Sequence, residues 1–330
     1  MAALNTEPLH MVLPPAPWTR AMEDGRVRVE GLAWTCNAEI GNAPDRFIAT
    51  ASQECDVGEN GVRRLALAII DGAPPTGLPV FFGREHMQRN FIVRADSSMT
   101  SPRDLAGRRV ATRLSIESGT GAGVLMMLES AFGVDLRDIV WQTGSPGQPK
   151  VNRMGLRLEP GSLDETELFE ELRQGKVDAV FATTGPRYWS MFGGEGDHLD
   201  PLIRPFPDLR PLMHDPTQIA ETYRRTHLCP ITDVVVVKPQ LATGESPIPA
   251  RVVEALVQAN ALASSYRGAA EQQLAVREVE LLGEDPHQYG LGTDQRANLA
   301  TLLDLFYRLG SIARPVEPEE LFVPSVARPL

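Results

Sequence analysis

Short apolar runs and longer segments with helical spacing take turns along this chain. Leu9 to Leu13 reads as a strand closed by Pro14 and Pro15, and Trp18 to Asp24 as a short helix stopped by Gly25. Arg28 to Thr35 alternates well enough for a second strand, and Asp45 to Ser52 has helical spacing. Glu59 follows in a turn after Cys55 to Val57. Leu65 to Ile70 is apolar throughout and fits a buried strand or a helix end equally well. Leu78 to Phe82, Phe91 to Arg94, Arg109 to Thr112 and Ile139 to Gln142 predict strands. Ser101 caps a turn in which Pro102 is the first helical residue.

The segment Gly144 to Gly161 is rich in Gly and Pro and reads as a loop. Asp164 caps a helix with Glu167 in the capping-box position, and Gly175 ends it. The run VDAVFATT then forms a strand whose end delivers Thr183, Thr184 and Gly185 to a loop. Pro201 to Pro216 reads as irregular, and Ile219 to Thr226 as a short helix. Asp233 to Lys238 is a strand. The last third is helical over Ala250 to Tyr266, Ala269 to Leu282 and Thr293 to Leu309, with Gly310 as its stop.

The order of these elements predicts an α/β fold of two lobes joined by two crossover strands, Phe91 to Arg94 and Asp233 to Lys238. Residues 1–88 and 232–330 then make lobe 1, with the C-terminal helices packed on it, and 89–231 make lobe 2. A ligand would sit in the cleft between the lobes, at the carboxyl ends of strands. The stretch from Arg89 to Gly133 is the centre of this reading. Its loop SIESGTGAG opens a helix, and unpaired N–H groups at a helix start can face an anion. Ser118, Thr120 and Gly121 are the donors there; the competing reading is a capped helix with Gly for close packing. The spacing is not that of a dinucleotide fingerprint.

A chain of 330 residues exceeds one comfortable core, in keeping with two lobes. Its net charge of −11 argues against nucleic acid or an anionic membrane as a partner. Cys36, Cys55 and Cys229 are odd in number and unpatterned, which suggests reduced thiols in a cytoplasmic setting. No run is long enough to span a membrane. The sequence leaves open whether the chain works alone or as a homo-oligomer.

Several segments resemble the 4,5-dihydroxyphthalate decarboxylase family. They are TRAMEDGRV (Thr19 to Val27), ECDVGE (Glu54 to Glu59), LPVFFGR (Leu78 to Arg84), DLAGRRV (Asp104 to Val110), YRRTHLCPI (Tyr223 to Ile231), QYG and EELFVPS. The resemblance runs from about Thr19 to Ser325 and rests on the order and spacing of these segments together. It implies a type-2 periplasmic-binding-protein fold, a carbon-carbon lyase acting on a small hydroxylated aromatic acid of the phthalate type, and a place in aromatic compound catabolism. It implies no cofactor and no metal. Gln88 and Asp233 stand where the family carries His, which moves attention to His86, two residues earlier.

Such a reaction needs cations or amides for a carboxylate and one acid near the ring carbon that loses CO2. Arg20 is the first choice for the carboxylate, because it matches the family motif and follows the first strand. Arg84 and Arg89 flank the expected cleft mouth, and Thr184 lies at a strand end. His86 and His227 are the candidate proton donors, since an unperturbed imidazole titrates near pH ~6.5. Glu59 is a further candidate acid if burial raises it. Asp233 either faces the cleft or pairs with Arg224 or Arg225. The rival reading is a protein of the same fold that binds a small organic anion without turnover.

Overall fold

The computed structural model describes residues 7–38, 50, 54–82, 84, 86–144, 151–182, 200–243 and 245–330. Its strands are β1 (Leu9–Val12), β2 (Trp34–Asn37), β3 (Val57–Gly61), β4 (Gly77–Phe82), β5 (Phe91–Arg94), β6 (Arg109–Thr112), β7 (Val140–Thr143), β8 (Arg157–Pro160), β9 (Ala179–Phe181), β10 (Leu209–Pro211) and β11 (Asp233–Val237). The helices used below are α1 (Pro17–Glu23), α2 (Val62–Ile70), α3 (Gly119–Phe132), α4 (Glu165–Arg173), α5 (Pro216–Thr226), α6 (Ile248–Leu262), α7 (Ala269–Leu282) and α8 (Thr293–Leu309).

Two mixed sheets form, in the orders β2-β1-β3-β11-β4 and β10-β5-β9-β6-β7-β8. Read from β8, the second sheet repeats the arrangement of the first. In each, one antiparallel strand is inserted before the last: β11 between β3 and β4, and β5 between β9 and β10. The chain leaves the first sheet after β4 and returns to it at β11. The two runs read as crossovers thus each belong to one sheet, and the passages lie just before them.

The run DVVVV shows why β11 carries no polar alternation. Val234 and Val236 face a core with Leu65 of α2 and Phe81, while Val235 and Val237 pack with Val80, Val252 and Leu256. A strand covered on both faces has no wet side. The second sheet is covered likewise, by α4 over Ile92, Ala111 and Val180 and by α3 over Phe91, Val110 and Phe181.

Several local expectations change. The strand expected over Arg28 to Thr35 moves to β2, because Gly31 turns the chain at φ +68 and Leu32 bridges back to Val29. Leu65 to Ile70 is helical, its buried Leu65 and Ala66 following the exposed Arg64. Val57–Gly61 is a strand, not a turn, and short strands occupy Arg157–Pro160 and Leu209–Pro211 in segments read as irregular. The helix expected over Asp45 to Ser52 lies outside the described residues apart from Thr50. Ser101 and Asp164 cap as expected, by accepting from Arg103 N and Thr166 N, but Glu167 does not close the box: Asp164 N donates to Ser162 Oγ, which donates to Glu167 Oε2.

The C-terminal helices do not all pack on the first sheet. α6 does, against α1 and β4, but α7 lies on α5 and α8 on α3. Leu302 and Phe306 of α8 join one core with Leu125 and Leu128 of α3 and Leu65 of α2. Apolar stripes on two sides of α8 let it bridge the halves of the molecule. Among the described residues no helix is long and apolar enough to cross a membrane.

Candidate functional site

β4 ends at Phe82, and two residues on Arg84 turns inward and is only 4% exposed. Its Nε and NH2 donate to the carbonyl of Cys229 at 3.3 and 3.1 Å, which ties the end of β4 to the segment entering β11. Among the described residues its NH1 makes no hydrogen bond. A buried donor left so costs free energy unless something accepts from it. Arg84 stands on the wall of a hollow of about 410 Å³ whose lining comes wholly from residues 1–88 and 232–330, so it is not the cleft expected between the lobes. One side of that hollow is Trp18 and Phe82, stacked at 4.2 Å with planes 12° apart. α7 and the segments on either side of it line the hollow too, contributing Arg267, Glu278, His287 and Tyr289. An aromatic wall facing guanidinium groups suits a flat ring bearing negative charge.

Glu278 is 4% exposed. Its Oε1 lies 3.5 Å from His86 Nε2 and its Oε2 3.5 Å from His287 Nε2. Burial opposes ionisation, but the two imidazoles outweigh it and hold the carboxyl well below the usual carboxylate range. The stability Glu278 contributes is therefore fully present above its ordinary value of 4.5 and is lost as pH falls below it. Glu278→Gln is expected to flatten the acid limb of stability against pH, read as the urea midpoint between about pH 3 and 6. An acid limb as steep as the parent's would remove Glu278 from that role.

The expected site residues fall into separate places. Arg84 is on the hollow, and His86 is behind it through Glu278, its ring edge-on to Tyr223 at 5.7 Å. Arg89 is buried in the turn before β5 and is not on the hollow's wall. Glu59 is buried in β3 opposite Val235 and is held by partners there, so it is not a turn carboxylate. Asp233 opens β11 and accepts from Thr232 Oγ1 at 2.8 Å, while Arg224 and Arg225 donate to the carbonyls of Leu281 and Ala131. His227 is exposed at the end of α5, with φ +48 and its Nδ1 2.8 Å from Glu284. Thr184 lies outside the described residues.

The start of α3 is a cap and not an open anion cradle. Ser118 Oγ accepts from Gly121 N at 3.0 Å and donates to Ser115 O at 2.7 Å. Glu117 already brings a carboxylate to that helix start, where Ser311 Oγ donates to it and Arg63 lies 3.7 Å away. Thr120 is buried and partnered. Arg20 is exposed on α1, and the 410 Å³ hollow has Trp18 on its wall but neither Arg20 nor Gly121. The expectation that Arg20 and Gly121 share a hollow is corrected on that geometry: α1 turns Trp18 inward and Arg20 out. Ser118→Ala should lower stability by about 1 kcal/mol, visible as a lower Tm, with ligand binding in the hollow unchanged.

The sequence reading missed Trp18, Arg267, Glu278 and His287. Glu278 had a signal, since it lies four residues after Leu274 and four before Leu282, on the stripe that packs inward. Tyr289 belongs to the QYG segment already singled out. No disulfide joins Cys36, Cys55 and Cys229. Burial, then Glu23, pushes the Cys36 thiol up to about 12, and burial also raises Cys55, so neither is a ready nucleophile. His227, Glu284 and Asp294 bring ligand atoms within 4.8 Å of one another at the surface. Tyr223 OH donates to Glu284 there, and burial foremost pushes the Tyr223 phenol up.

Two α/β halves built on mixed sheets, each with one inserted antiparallel strand, define the fold of periplasmic binding proteins, and solved structures of that class match this chain. The aliphatic sulphonate binding protein SsuA of Escherichia coli matches at a TM-score of 0.54 and 16% identity, over 96% of this chain and 92% of that one. The alkanesulfonate-binding protein SsuA of Xanthomonas axonopodis pv. citri, bound to MOPS, matches at 0.53 and 15%, over 97% and 99%. In sequence the chain is similar to the 4,5-dihydroxyphthalate decarboxylase of Comamonas testosteroni, 27% identical over 329 residues and 93% of each chain. That match bears out the resemblance read from the motifs. No family model matches.

Proposed function

We propose that this protein is a cofactor-free carboxy-lyase that removes one carboxyl group from a small hydroxylated aromatic diacid of the phthalate type. The observation that carries the reading is the buried Arg84 guanidinium, with NH1 unbonded among the described residues, beside the stacked Trp18 and Phe82. The similarity to a decarboxylase of a dihydroxylated phthalate supports the choice of reaction. One carboxylate of the diacid takes the guanidinium N–H donors, and the ring lies on the aromatic wall. A ring hydroxyl para to the other carboxylate feeds electrons into the ring, a general acid protonates the ring carbon, and CO2 leaves into a poorly solvated space.

The second reading is a protein that binds such an anion and releases it unchanged. The similarity in fold to sulfonate-binding proteins favours it. One assay separates the two. Incubation with 4,5-dihydroxyphthalate is expected to yield CO2 and 3,4-dihydroxybenzoate in equal amounts. Binding of the diacid with no product at stoichiometric protein would favour the second reading.

A further inference from the structure

The hollow has a wall that can bind the substrate, but the reaction also needs a proton at the ring carbon. The groups on the wall differ in what they can give. Trp18 and Phe82 have no acidic proton, and a guanidinium is too weak an acid to give one to carbon. A tyrosine phenol such as Tyr289 is ordinarily a weak acid near pH ~10. Glu278 is held ionised and can only accept. His287 is left. It stands on the wall, about a third of its side chain is exposed (34%), and its Nε2 is 3.5 Å from Glu278 Oε2. Its backbone N–H donates to Asp285 Oδ1 at 2.8 Å, which fixes the turn that carries the ring.

With Nε2 facing the carboxylate, Nδ1 is the nitrogen available to a ligand. The other oxygen of Glu278 lies 3.5 Å from His86 Nε2, and His86 is 7% exposed with neither ring nitrogen hydrogen-bonded among the described residues. The buried carboxylate thus lies between two imidazoles, His287 on the wall of the hollow and His86 off it. This is the geometry by which a carboxylate orients an imidazole and stabilises its charged form.

We propose that His287 is the proton donor of the decarboxylation and that Glu278 is its positioning residue, with His86 beside the other oxygen of Glu278. The inference rests on the decarboxylase reading given above. In the step, the imidazolium of His287 gives its Nδ1 proton to the ring carbon and a C–H bond forms. The bond from that carbon to the carboxylate breaks, its electron pair stays with the ring, and CO2 departs. One proton is consumed per turnover, and His287 regains it from water at its exposed edge.

The test uses the full chain with 4,5-dihydroxyphthalate as substrate and phthalate, which lacks the electron-releasing hydroxyls, as the binding probe. His287→Gln should lower kcat by about 100-fold or more while phthalate binding, measured by calorimetry, stays near the parent's. His287→Ala should regain part of its rate when imidazole is added. Glu278→Gln should lower kcat by about 10-fold with KM little changed, since it acts through His287. A His287→Gln protein with normal phthalate binding and parental kcat would overturn the proposal. So would parallel loss of kcat and phthalate affinity without imidazole rescue, which would make His287 a binding residue. A parent that binds phthalate but releases no CO2 from hydroxylated aromatic acids overturns the decarboxylase reading itself, and the proposal with it, before any variant is measured.

Discussion

Arg84→Met is expected to weaken phthalate binding by about 100-fold, the equivalent of ~3 kcal/mol for a charge-assisted pair in a buried site. The argument rests on where the guanidinium sits. It is 4% exposed, two of its nitrogens are committed to the Cys229 carbonyl, and the third is buried without a hydrogen bond among the described residues, in a side chain that lines the hollow. Arg84→Lys keeps the charge but loses the planar fork, so it cannot serve the carbonyl and a carboxylate together. Its affinity should fall between those of Met and the parent. Both variants lose the tie to Cys229, so each should also melt at a lower temperature, and binding is compared below that point. Parental affinity in Arg84→Met would remove Arg84 from the site. Arg20→Ala, by contrast, should leave phthalate binding unchanged, because Arg20 is exposed and off the wall.

The largest effect on stability is expected from Gly121→Ala. A Cβ at that position would stand 2.2 Å from Ser115 O and 2.8 Å from Ile116 Cα, both backbone atoms that no side-chain rotation can move aside. The loop must shift, and with it the cap that Ser118 makes on Gly121 N. Overpacking of this kind costs about 3 kcal/mol. The expected result is a clearly lower Tm and, in the protein that remains folded, unchanged affinity for phthalate. A large loss of affinity with an unaltered Tm would restore the start of α3 as the anion site.

Gly121 also shows how far the sequence could be read. A loop of small residues before a helix is compatible with an anion cradle and with a tight cap, and the choice depends on what packs above it. Here that is the carbonyl of Ser115, and local spacing alone did not select between the two. The strands were legible where burial on both faces makes an unbroken apolar run, as in DVVVV. They were not where one residue reverses the chain, as Gly31 does before Trp34. Glu59 reads as a turn residue after Cys55 to Val57; pairing with β11 across the sheet makes it part of a strand instead.

The wall of the hollow was legible only in part. Arg84 was found because it follows a strand and matches a family segment. His86 was found as a titratable group, but its partner Glu278 lies in another helix far along the chain, and no spacing rule connects them. His287 was passed over although it adjoins the QYG segment. The placing of α8 across both halves was hidden for a similar reason. A helix with apolar positions on two sides shows that it is buried between surfaces, not which surfaces they are.

A crystal structure of the protein grown with phthalate tests the central claim most directly. One carboxylate is expected within hydrogen-bonding distance of Arg84 NH1, the ring against Trp18 and Phe82, and His287 facing the ring from the side of Glu278. Phthalate bound at Arg20 or at the start of α3, with the hollow at the end of β4 holding only solvent, would contradict it.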